Sequence, residues 1–408
     1  MMLKRNKYLI IFLALLITCT GVAVAADVDN STEVSVDASS TIVSDSTPTI
    51  DTQVTSSVNE DNNLVKETKN VKRDEEDPEI VFDDANPVIV TSVNGQDNFD
   101  DLFDVISEDT DEITVHQIKS IYCCKTIKIN TDVTRNGHSY IINVPIALTS
   151  DYNNTIDLNT SNGYDSSIIE HWTSLNFTTG ASGSIITNMQ FHNTQIFVLD
   201  ADYITFDHTT VTANQPCGRG TGIFALREGS THISVTNNYF NINDNGGISV
   251  IALTNAEDCL IDHNVITGSG SVGNLIYLNT YFYNTNPAPT VTNRHNTISY
   301  NTLTGPTTPV NTCFAIAIAG PDNTIEHNNI YYNGTGITTN WQGSYDEEII
   351  ELEDDDFETV YEGNKYYYNN LYNGATVLCV NMRRVSQGIS VDSSRKSSHL
   401  YCMLWNTG

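Results

Sequence analysis

Three acid–histidine pairs stand out for the chemistry they could do. They are Asp207-His208 in "TFDHTTVTAN", Asp262-His263 in "LIDHNVITGSG" and Glu326-His327 in "TIEHNNIYYNG". A carboxylate beside an imidazole is a unit of general acid–base catalysis and of metal coordination. Whether three such pairs make one site depends on the elements that carry them.

Those elements are copies of one unit, apolar-x-x-Asn-x-apolar. It reads "VTNNYF" (235–240), "IDHNVI" (261–266), "ISYNTL" (298–303), "IEHNNI" (325–330) and, more loosely, "YYYNNL" (366–371). Two earlier copies, "ITNMQF" (186–191) and "FDHTTV" (206–211), lack the asparagine. A second strand, usually entered by glycine, lies between copies, as in "GIFAL", "GISVIAL" and "GNLIYL". Repeats of about twenty to forty residues built from short strands predict an all-β solenoid, a right-handed parallel β-helix. Asn238, Asn264, Asn301, Asn328 and Asn369 are expected to face inward at a turn and to stack as an amide ladder. An amide both donates and accepts, and asparagine tolerates left-handed backbone. Val235, Ile261, Ile298 and Ile325 are expected to form one apolar stack, and Phe240, Ile266, Leu303 and Ile330 the next.

In this register Asp207, Asp262 and Glu326 share one column and the three histidines the next. Thr236-Asn237 and Ser299-Tyr300 fall on the coils between. With coils about 4.8 Å apart, successive pairs lie roughly 10 Å apart, too far for two histidines to share one zinc. The separation also sits at or beyond the upper end of the spacing that inverting glycosidases use. The pairs therefore read as outward or turn decoration, with Asp207, Asp262 and Glu326 as weak catalytic candidates. "LIDHN" resembles the tail of the Trp-x-Asp-His stretch of pectate lyases, but Leu260 replaces the tryptophan. "NTD" at 130–132 resembles one polygalacturonase motif, without the Gly-His-Gly or Arg-Ile-Lys that should accompany it.

The chain begins with Lys4, Arg5 and Lys7 ahead of "YLIIFLALLIT" and "AVA", a secretory leader (1–25) expected to be cut between Ala25 and Ala26. Residues 26–86 read as a disordered acidic Ser/Thr-rich spacer. Residues 87–111 are expected to hold a strand and a short amphipathic capping helix. Phe99, Leu102, Phe103 and Ile106 would line its buried face, with Asp97 or Asn98 as N-cap. The β-helix is expected over 112–375. The basic tail over 376–408 lacks the repeat and suggests a truncated or frame-shifted end.

The formal net charge of −31 disfavours nucleic acid. No stretch after the leader has the roughly 18–20 apolar residues of a membrane span. Cofactors are not expected, although the acidic loop "DEEIIELEDDDFE" (346–358) could hold Ca2+ in place of being a solvated loop. Arg219 and Arg227 are expected in a loop with a local ion pair through Glu228. Of the 8 cysteines, Cys19 lies in the leader, which leaves an odd number and no Cys-x-x-Cys, so neither a zinc site nor a disulfide framework is indicated. Cys123 and Cys124 are expected to be ordinary small apolar residues. Asn30, Asn153, Asn159, Asn176 and Asn333 are candidate glycosylation sites.

Together, the leader, the acidic spacer, the capping helix and coils such as "CGRGTGIFALREGSTHISVTNNYF" and "NTIEHNNIYYNG" resemble the adhesin-like proteins of methanogenic archaea over residues 88 to 375. The resemblance implies an extracellular or cell-surface protein without established catalytic residues, attaching to surface glycans, cell wall or other cells. A non-catalytic role is thus the expectation. The alternative is a carbohydrate-active enzyme, a polysaccharide lyase or glycoside hydrolase, of the pectate-lyase-like fold.

Overall fold

A computed structural model describes residues 80–108, 113–151, 153–159, 173–215, 222–227, 229–244, 246–270, 272–279, 293–306, 313–339, 363–380, 390–391 and 400–403. The leader, the cleavage site, most of the spacer with Asn30, the acidic loop, Arg219 and Glu228 lie outside them.

Each coil has three sides. One coil runs through the strands Thr205–Asp207, Thr210–Asn214 and Gly222–Arg227, and the next begins at Ser234–Thr236. The same sides of successive coils pair in parallel. Among the described residues they build two sheets of 10 strands and one of 12, the expected parallel β-helix. On the first sheet the middle residue of each three-residue strand points inward. Phe206, Val235, Ile261, Ile298, Ile325 and Tyr366 stack there, all at 0% exposure. Phe240, Ile266, Leu303 and Ile330 stack likewise behind the second sheet. Full burial of such side chains contributes about 1.5–3 kcal/mol each. In the middle of the third sheet the strands Gln195–Leu199, Gly222–Arg227 and Ser249–Thr254 are buried on both faces, and Phe197, Leu199, Ala225 and Ala252 form a small second core. Arg227 is buried at the end of one of these strands rather than lying in a loop.

The N-terminal end departs from expectation. Only Phe99–Leu102 is helical, a single 3-10 turn, and Phe103–Glu108 is a strand antiparallel to Thr114–Ile118. Phe99, Leu102 and Phe103 are buried, but Ile106 is 51% exposed, at the irregularity where pairing passes from Val105–His116 to Ser107–Val115 and leaves it without an opposite residue. The β-branched Val105 and Ile106 suit that edge pairing better than a helix. Asn98 makes no side-chain cap bond; Asp97 Oδ1 instead accepts from the Phe99 amide at 3.0 Å. Arg135 clamps the turn through Asp97 (2.5 Å) and Asp100 (3.0 Å), and the buried Tyr140 hydroxyl donates to Asp100 at 2.7 Å. Beneath lie His116 and His138, whose Nε2 and Nδ1 approach to 2.7 Å. At the other end, Thr376–Val380, Ser390–Val391 and Leu400–Met403 add to two of the sheets, so pairing runs on past residue 375.

Candidate functional site

The turn that leaves the first sheet positions all three acid–histidine pairs. Asn238, Asn264, Asn301, Asn328 and Asn369 lie inside it, at most 2% exposed. Each Oδ1 from Asn264 onward accepts both the backbone N–H and the Nδ2 of the asparagine one coil earlier, at 2.9–3.1 Å. Each Nδ2 also donates to a strand carbonyl of the previous coil, as Asn264 does to Val235 at 2.8 Å. The first of them, Asn238, accepts from the backbone and hydroxyl of Thr209.

The left-handed backbone falls one residue earlier than expected. His208, Asn237, His263, Tyr300, His327 and Tyr368 have φ of +52°, +56°, +54°, +53°, +57° and +50°. Their side chains are thereby thrown outward. Consecutive rings stack along the axis, His263 on Tyr300 at 4.9 Å, Tyr300 on His327 at 4.7 Å and His327 on Tyr368 at 4.9 Å. Interplanar angles of 14°, 5° and 21° mean the inner rings cover one another's faces. What they offer a ligand is their polar edges.

The acids occupy the adjoining outward column, in the order Asp207, Thr236, Asp262, Ser299, Glu326. Asp207 and Asp262 are two coils apart, so the structure does not bring the pairs together. Within each of the first two pairs the contact is direct, with Nδ1 of His208 and of His263 each 2.6 Å from its carboxylate. The other carboxylate oxygen takes a hydroxyl from the next coil, Thr236 at 2.8 Å for Asp207 and Ser299 at 2.5 Å for Asp262. Burial alone would raise the Asp207 carboxyl. Hydrogen bonds from Asn237, His208 and Thr236 outweigh it and hold the group below its ordinary value. With a carboxylate accepting from Nδ1, the neutral imidazole keeps its proton there and turns the Nε2 lone pair outward. The outward base is therefore the histidine, and the acid orients it. The His263 and Asp262 side chains are 56% and 21% exposed, as that division of labour requires. Glu326 is half-buried on the same column.

Sequence reasoning passed over Tyr300. It is 48% exposed, and among the described residues only the Asp262–His263 pair combines an oriented imidazole with a phenol stacked on the next coil. A second cluster borders the opposite edge of the sheet: Glu257, Asp258 and His295, with ligand atoms within 4.8 Å of one another. Arg294 already spans both Glu257 oxygens at 2.6 and 3.1 Å, which leaves that carboxylate neutralised and a poor cation ligand. A second asparagine ladder, Asn296, Asn323 and Asn364, underlies this edge. Its signal was legible as Asn-x-apolar-x-x-Asn in "NTISYN", "NTIEHN" and "NKYYYN".

Asn176 is fully buried and bonded to Ser139 and the Tyr140 carbonyl, so it is no glycosylation site in the folded protein. Asn153 is exposed, while Asn159 and Asn333 are half-buried. Cys123 is exposed and Cys124 half-buried, so neither is the apolar residue expected.

The coil defines a parallel β-helix protein. No family model matches the chain, and no curated protein matches it. Among solved structures, it is similar to an alginate lyase from Paenibacillus sp. str. FPU-7, at 14% identity and TM-score 0.41, covering 68% of this chain and 90% of that one. It is similar to the catalytic domain of a GH87 alpha-1,3-glucanase in complex with nigerose, at 15% identity and TM-score 0.33, covering 68% and 55%. A mutant of the periplasmic alginate epimerase AlgG follows at 10% identity and TM-score 0.31, covering 74% and 79%. These likenesses are of fold. Leader, spacer, capping helix and coils together lead to the expectation of a non-catalytic adhesin-like protein; it is corrected in that these structures are, by name, a lyase, a glucanase and an epimerase.

Proposed function

We propose that this chain is a carbohydrate-active enzyme that cleaves an acidic polysaccharide by β-elimination, centred on Asp262, His263 and Tyr300. The observation that carries the reading is an oriented imidazole with a phenol stacked on it one coil away. His263 Nε2 removes the proton beside the sugar carboxyl, the glycosidic C–O bond breaks, and the Tyr300 hydroxyl protonates the leaving oxygen. Syn elimination draws base and acid from one side of the sugar, and adjacent coils supply that. Retaining hydrolysis instead needs two carboxylates about 5–5.5 Å apart, whereas Asp207 and Asp262 are separated by a whole coil. The leader and the resemblance to surface proteins support export, which puts wall or surface glycans within reach.

The test is a panel of uronic and neutral polysaccharides, scored for ultraviolet-absorbing unsaturated ends. His263→Asn keeps a residue that the same column already carries at Asn237 in left-handed backbone, so the fold is preserved while the base is lost. That variant and Tyr300→Phe are expected to lose at least 100-fold in kcat, in line with the roughly 10²–10⁴-fold that acid–base groups contribute. Full activity of a folded His263→Asn protein would refute the assignment.

A further inference from the structure

The vicinal pair Cys123-Cys124 lies outside the proposed site, on the turn between the 3-10 segment Ser120–Tyr122 and the strand Lys125–Ile129. Its sulfurs are 3.3 Å apart, Cys123 is exposed, and Cys124 has φ +58°, a left-handed conformation that is uncommon for cysteine. The turn is held from both sides: the Cys124 amide donates to the Pro145 carbonyl at 2.7 Å and its carbonyl accepts from the Asp83 amide at 3.0 Å. The backbone thus presents two thiols together at the surface, where burial gives no reason for cysteine.

We propose that Cys123 and Cys124 form a reversible two-electron redox site that reacts with small-molecule disulfides and closes to a vicinal disulfide. The Cys123 thiolate attacks one sulfur of R–S–S–R and expels RS⁻, giving a mixed disulfide. Cys124 then loses its proton and displaces the second RS⁻, forming the Cys123–Cys124 bond. One disulfide is reduced to two RSH as the protein dithiol is oxidised. The hydrogen bond to Cys123 pushes the Cys124 thiol up, which fits Cys124 holding its proton as donor while the exposed Cys123 attacks. Adjacent Cα atoms are about 3.8 Å apart, below the roughly 4.4–6.8 Å usual for a disulfide. The closed ring is therefore strained and readily reduced, as a labile bond rather than a structural one.

The test uses the full chain incubated with oxidised glutathione, followed by alkylation, trypsin and mass spectrometry. Cleavage after Lys119 and Lys125 releases both sulfurs in one peptide, residues 120–125. The expected product is that peptide unalkylated and lighter by two hydrogens than its dithiol form, with alkylation restored by dithiothreitol. Cys124→Ser should instead accumulate one glutathione on Cys123. Two free thiols after oxidation, or two separate glutathione adducts on the wild-type peptide, would overturn the proposal.

Discussion

Replacing Asn264 with leucine removes one rung from the ladder beneath the acid–histidine pair at nearly constant volume. The Asn238 backbone N–H then has no acceptor, because Asn264 Oδ1 is the partner it uses at 2.9 Å. Asn238 Nδ2 retains the Phe206 carbonyl and Asn301 Oδ1 retains the backbone N–H of residue 264, while the Val235 carbonyl loses the Asn264 Nδ2 donor. One orphaned buried donor costs about 1–3 kcal/mol, which corresponds to a roughly 5- to 150-fold change in an opening equilibrium. Solenoids unfold by neighbouring repeats rather than all at once, so the cost should be read locally. Hydrogen exchange at the Asn238 amide and its paired strand should accelerate by that factor, alongside a lower midpoint in urea. Thr267→Val, on the outward face of the second sheet, serves as control and should stay within about 0.5 kcal/mol. An Asn264→Leu protein indistinguishable from this control would refute the ladder as a source of stability.

The excess of negative charge on the chain should repel an acidic substrate, so kcat/KM should rise as added salt screens the two; a fall with salt would point to cationic recognition instead. His116 and His138 are both held below the ordinary histidine range, chiefly by burial. Their folded-state pKa values lie below the unfolded ones, so their contribution to stability is complete above about pH 6.5 and declines as pH falls below it. Exchange in Phe103–Glu108 and Thr114–Ile118 should therefore speed up below about pH 6, and a His116→Phe protein should lose much of that dependence.

Much of the coil was legible in the sequence because it repeats. Period-two alternation around a recurring asparagine fixed the inward stacks at Ile261, Ile298 and Ile325. The N-terminal turn was misread because Phe99, Leu102, Phe103 and Ile106 fit a helical face, while the pairing of Phe103–Glu108 with Thr114–Ile118 is a tertiary fact that local spacing does not carry. The pairs themselves were placed in the right columns and facing outward, as the structure has them. That the residue before each ladder asparagine takes the left-handed conformation follows from turn geometry, and the strained position holds His, Asn and Tyr alike. This turns His263 outward and stacks it on Tyr300, a relation across 37 residues of sequence that only the register between Leu260–Asp262 and Thr297–Ser299 supplies.

The most direct measurement is cleavage of a uronic polysaccharide in water enriched in heavy oxygen, with mass analysis of the new chain ends. Elimination at the Asp262–His263–Tyr300 rung predicts unsaturated ends that carry no label from water. Labelled, saturated ends would show hydrolysis and contradict the assignment.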